Sequence, residues 1–126
     1  MSVLFSRVEI LLERNDGLLQ QTGFLHAGAI TSVVDSACGY AALTLMPEGN
    51  EVLSVEFKIN LMSPAADDAY LAIGIVERSG RTLSICRGEL RPVDNPDKLV
   101  ALMQATMITV APDATASDDD DRQPMI

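Results

Sequence analysis

From Ala27 to Met46 the chain runs for the length of a long helix through apolar and small residues, and its one charge is Asp35. No side of a helix drawn through this stretch is strongly polar, which predicts a helix enclosed by protein on all sides. Ala29, Ala37, Gly39, Ala41 and Ala42 would let neighbouring strands come close to it. An ionised carboxylate buried without a partner costs several kcal/mol, so Asp35 is either paired by a group distant in sequence or kept for chemistry. Chemistry is the reading adopted here.

A membrane span is not expected. Thr31, Ser32, Asp35, Ser36 and Gly39 dilute the stretch, and no basic residues flank it closely. The 126 residues, 48% of them hydrophobic, fit one domain with an ordinary core. A net charge of -9, with nine scattered basic residues, argues against nucleic acid as a partner, because phosphate binding needs clustered Lys and Arg. Cys38 and Cys86 have no metal-type spacing, and no secretory signal precedes them, so they are expected as reduced thiols in the core of a cytoplasmic protein. No metal and no cofactor is called for. From Pro112 the chain loses apolar periodicity and carries Asp118 to Asp121 in a row, which predicts a domain over residues 1–111 and an acidic disordered tail over 112–126.

Within the body, Val3 to Arg14 reads as a strand ending at the turn signal Asn15-Asp16-Gly17. The helix is expected to end near Met46, since the residue before Pro47 avoids helical geometry. Val52 to Met62 gives the clearest alternation, with Val55, Phe57, Ile59 and Leu61 set against Ser54, Glu56, Lys58 and Asn60. Strands over Tyr70 to Arg78, Thr82 to Arg91 and Leu99 to Val110 follow, with turns at Ser79-Gly80 and Asp94 to Asp97. Consecutive strands joined by short turns pair antiparallel, so the fold class is α+β: an antiparallel sheet wrapped around one long central helix. Met46, Met62, Met103 and Met107 fit the core or a pocket wall. There is no repeat, no Gly-rich phosphate loop and no nucleophile elbow.

Gly23-Phe24-Leu25-His26-Ala27-Gly28, with Asp35 nine residues after His26, resembles the Gly-x-x-His-Gly-Gly and helical acid signature of hotdog-fold thioesterases of the phenylacetate-degradation type. Ser54 to Ala65 resembles that family's central strand and Ser79 to Leu83 its hairpin, so the likeness covers about Val3 to Val110. The resemblance implies hydrolysis of acyl-coenzyme A on a hotdog sheet, with coenzyme A entering as part of the substrate. It also implies an active site shared by an obligate homodimer, and homodimers assembling into a homotetramer. Asp35 falls on the catalytic carboxylate, as nucleophile or general base. Ala27 falls on the residue whose N–H binds the thioester oxygen, in place of the family's first glycine.

Gln20 occupies the place where relatives hold a carbonyl or water, and Ser54 one where some relatives place a hydroxyl near the reaction centre. Gly39 replaces a hydroxyl residue that some members carry. Gly28 belongs to the helix-start motif, and Gly80 and Arg81 fall in a hairpin that can touch coenzyme A. His26 either braces the helix start or lies near substrate, Ser54 also reads as an ordinary polar face residue, and Arg81 as a solvated charge. The shared site has independent support, because eight residues at 1.5 Å rise separate Ala27 from Asp35 by roughly 12 Å, too far to serve one carbonyl carbon. The competing expectation is a non-catalytic protein that holds acyl-CoA without turning it over, which Ala27 and Gly39 keep open.

Overall fold

The computed structural model describes residues 1–15, 17 and 24–112. Along them run β1 (Ser2–Leu4), β2 (Arg7–Glu13), α1 (Ala27–Leu43), β3 (Glu51–Leu61), β4 (Ala69–Ser79), β5 (Leu83–Pro92) and β6 (Ala101–Val110). The strands form one six-stranded sheet in the order β1-β2-β4-β5-β6-β3, and every pairing is antiparallel. This is the α+β arrangement expected, a sheet laid on a single helix. No helix among the described residues is long and apolar enough to cross a membrane.

The helix lies very close to the sheet because both surfaces are small where they meet. Ala37 and Cys38 of α1 sit over Gly74 of β4, where an added Cβ would land on the Ala37 carbonyl and lie 2.6 Å from the Cys38 nitrogen. At Gly88 of β5 a Cβ would run into Val34 and lie 2.9 Å from Cys38 Sγ. These two glycines let the backbones approach. Around them pack Tyr70, Leu90, Met103 and Met107, the largest fully buried side chains, each worth about 1.5–3 kcal/mol of apolar burial. Cys38 and Cys86 are buried and unbridged.

Four expectations are corrected. The first strand is a hairpin rather than one element, because Ser6 takes a positive φ of 67° and turns β1 back on β2. The Thr44 hydroxyl fixes that turn by accepting the Ser6 N–H at 2.9 Å while donating to the Ala41 carbonyl at 2.6 Å. The helix ends at Leu43, and its last hydrogen bonds tighten to three-residue spacing as far as Met46, three residues short of the end read from Pro47. β3 does not pair with β4; it crosses to the far edge and pairs with β6. Finally, α1 is not enclosed all round. The sheet covers Ile30, Val34, Ala37, Cys38, Ala41 and Ala42, while Ser32, Ser36 and Tyr40 stay exposed, so a nearly uncharged helix flank faces outward.

β3 also departs from its simple alternation. Opposite Met107 and Thr106 of β6 the register slips between Ser54 and Glu56, leaving Val55 as the extra residue of a bulge. Val55, Phe57 and Leu61 are all exposed, as is Met62 just beyond the strand. The bulge keeps Ser54 turned toward the helix, and that placement creates the site.

Candidate active site

Asp35 is half-buried on α1, and the Ser54 hydroxyl donates to its Oδ1 at 2.8 Å across the gap to β3. Ser54 Oγ also lies 3.3 Å from Met107 Sδ. Among the described residues Asp35 has no salt-bridge partner; the ion pairs present use Glu9 and Glu89. Its second carboxylate oxygen has no hydrogen-bond partner among the described residues. Beside the pair opens a cleft of about 240 Å³ lined by Asp35, Ser36, Gly39, Tyr40, Val52, Ser54 and Met107.

A second groove, of about 350 Å³, lies at the start of the helix against Phe24, Leu25, Ala27, Ile30 and residues 61–65. His26 is the N-cap residue, with φ -62° and ψ 140°, and makes no side-chain cap. Its carbonyl takes the Ala29 and Ile30 N–H groups at 3.0 and 3.2 Å, whereas the Ala27 and Gly28 N–H groups have no acceptor among the described residues. No acidic side chain sits in the first turn. The positive end of the helix dipole and the Ala27 donor, without an acceptor among the described residues, therefore lie at this groove.

The candidate residues thus fall on two different clefts. Ala27 lines the first, with His26 and Gly28 as its chain neighbours at the helix start, Asp35 and Ser54 line the second, and the helix rise keeps Ala27 and Asp35 roughly 12 Å apart. Gly80 and Arg81 are exposed on the β4–β5 hairpin and line neither cleft. Ser84, just past that hairpin, pairs with Met107, which pairs with Ser54, so the hairpin stands at the Asp35 end of the sheet. Gln20 lies outside the described residues, as do Gly23 and the tail over residues 113–126. Met107, a candidate pocket wall from sequence, lines the Asp35 cleft, and Tyr40 and Val52 join it as residues that sequence reasoning missed. Tyr40, five residues after Asp35 and the helix's one aromatic, was the available signal.

Neither thiol competes with Asp35 as the reacting group. Burial, then the proximity of Cys86 and Asp35, pushes the Cys38 thiol far above its ordinary range, and burial, then Glu77, pushes Cys86 up to about 11. No cluster of three or more metal-ligating side chains occurs among the described residues.

A curled antiparallel sheet holding one helix, with an uncapped helix start over one cleft and a lone acid over another, defines a hotdog-type protein. A structure of a thioesterase family protein from Silicibacter pomeroyi shares 39% identity, 89% of this chain and 83% of that one, with a TM-score of 0.85. A Streptococcus mutans protein bound to acetyl CoA shares the fold at a TM-score of 0.78 and 21% identity, over 88% of this chain and 86% of that one. A Saccharolobus solfataricus protein named as an esterase is 30% identical over 70% of this chain, which spans 62% of that relative's length. The family model of the thioesterase superfamily matches residues 22–98, and the chain belongs to that superfamily.

Proposed function

We propose that this protein is an acyl-CoA thioester hydrolase of the phenylacetate-degradation type, working as a homodimer in which each active site combines the helix start of one subunit with Asp35 of the other. The observation that carries this reading is the Asp35 carboxylate, without an ion-pair partner among the described residues and held by Ser54 in a cleft that also meets Val52 and Met107. Acetyl CoA bound to the similarly folded Streptococcus mutans protein favours a coenzyme A thioester as substrate. Two antiparallel helices across a two-fold axis would bring the Ala27 N–H of one beside Asp35 of the other. The uncovered helix flank and the exposed apolar edge of β3 favour such pairing, and pairs stacking into a homotetramer would cover more of the outer surface. The buried reduced thiols fit a reducing compartment such as the cytoplasm.

As general base, Asp35 takes a proton from water while the resulting hydroxide adds to the thioester carbonyl carbon. The carbonyl oxygen becomes an oxyanion held by the Ala27 and Gly28 N–H groups. Collapse breaks the carbon–sulfur bond, and the coenzyme A thiolate receives the proton from Asp35. As nucleophile, the carboxylate adds to the carbonyl carbon instead and expels the coenzyme A thiolate, leaving an anhydride that water then splits; in single-turnover hydrolysis in ¹⁸O-water, attack at the Asp35 side-chain carbon would label Asp35, and attack at the acyl carbon would label the released acid. Ser54 positions the carboxylate, and Arg81 is available to the phosphates of coenzyme A.

Thiol release over a panel of acyl-CoAs tests the reading. Asp35→Asn is expected to lose at least about 100-fold in kcat/KM with its circular dichroism unchanged. Absence of hydrolysis by the wild type, or full activity in Asp35→Asn, overturns it. Thermal stabilisation by acyl-CoA without thiol release would mark a binding protein instead.

A further inference from the structure

We propose that Gly39 sets the width of the acyl slot beside Asp35, admitting acyl groups that carry bulk on the carbons next to the thioester carbonyl. The inference rests on the reading of Asp35 as the reacting acid and assigns the specificity of that same site.

Glycine in mid-helix is the least favourable residue apart from proline, so one that stays there needs a reason. For Gly74 and Gly88 the reason is visible, since a Cβ at either would collide with the helix. Gly39 has no such reason. A Cβ built there meets only Val52 Cγ1, at 3.9 Å, an ordinary contact. Gly39 instead lines the cleft that holds Asp35 and Ser54.

It sits one turn beyond Asp35 on the same helix face, and Cα–Cβ bonds in a helix tilt toward the N-terminus. A side chain at position 39 would therefore lean back over the turn that carries the carboxylate and fill the slot. The cleft holds the volume of about eight waters at about 30 Å³ each, and its floor is the fully buried Met107 beside Val52, with Tyr40 at the rim. Because the cleft opens directly beside Asp35, the part of the substrate that enters it is the acyl group joined to the reacting carbonyl rather than the coenzyme arm. A slot bounded by Val52 and Met107 and left wide by a missing side chain suits a branched or ring-bearing acyl group more than a thin one.

The test compares wild type, Gly39→Ala and Gly39→Leu on acetyl-CoA, isobutyryl-CoA and benzoyl-CoA. The ratio of kcat/KM for either bulky substrate to that for acetyl-CoA should fall about tenfold or more in Gly39→Leu and by less in Gly39→Ala. Gly39→Ala should melt at or above the wild-type temperature, with the same mass by light scattering. An unchanged ratio overturns the inference. So does a lower melting temperature or an altered mass in Gly39→Ala, either of which would make the glycine a packing residue.

The same acyl-CoAs are also read by the shift in melting temperature they cause in Asp35→Asn, with and without Gly39→Leu. Size discrimination in binding with no hydrolysis by the wild type would defeat the catalytic reading and leave the slot standing. Hydrolysis with an unaltered ratio would do the reverse.

Discussion

In the proposed reaction Ala27 acts through its backbone, so most side-chain replacements leave its donor in place. Proline is the exception: it removes the N–H yet suits the first helical position, and the extended ψ of His26, 140°, is what a residue before proline prefers. Ala27→Pro is therefore expected to keep the wild-type melting temperature while kcat/KM drops about 10²–10³-fold, the usual loss for one oxyanion donor. Unimpaired hydrolysis by this variant would place the donor elsewhere. The thiols give a second check at this scale. With Cys86 titrating near 11 and Cys38 higher, neither should react with Ellman's reagent at pH 8 until denaturant opens the core. Asp35 was legible because it is the one charge in an oily stretch. Ser54 was named through the family resemblance alone; its hydrogen bond to Asp35 was not legible, since it joins groups 19 residues apart and exists only through the register of β3 on β6.

Between α1 and the sheet, Gly74→Ala should cost about 1–3 kcal/mol through overpacking, lowering the melting temperature by several degrees. Equal melting temperatures would mean the helix can lift off the sheet. On β5, Glu89 is nearly buried between Arg87 and Arg91. Burial pushes its carboxyl upward, but the hydrogen bonds and charges of Arg91 and Arg87 outweigh that and hold it below the usual carboxylate range. The folded state then binds fewer protons than the unfolded state in that range. Its contribution is present at neutral pH and is lost as pH falls through the folded value. Glu89→Gln should accordingly flatten the acid limb of the stability curve below about pH 4.5, where unfolded glutamate takes up its proton, as read by urea melts across pH. Element types could be read from period and turn residues, as the Ser54 to Leu61 alternation was. The bulge at Val55 could not, because the partner strand defines it. Phe5-Ser6 carries no glycine or asparagine to announce the reversal that Thr44 enforces from 38 residues away.

At the scale of the molecule the edge position of β3 escaped the sequence, since crossing to β6 rather than pairing with β4 is decided by contacts no local pattern encodes. It is also where the shared-site reading is most exposed to test. Asp35→Asn and Ala27→Pro each spoil a different half of every site, so mixing and reassembling the two inactive variants should restore about a quarter of wild-type activity, from mixed pairs with one intact site of two. Failure to regain activity after subunit exchange would place the whole reaction within one chain. Phe57→Lys, on the exposed edge, should yield monomers by light scattering and lose hydrolysis with them.

β3 is an eleven-residue strand at the sheet edge whose outer backbone and exposed oily side chains have no cover among the described residues. Long bare margins of this kind recruit whatever extended polypeptide they meet. On the proposed pairing, a newly synthesised copy stays adhesive until a twin occupies that border, and slow production at low temperature should give more usable material than rapid synthesis, which crowds unmated copies together and drives them into inclusion bodies.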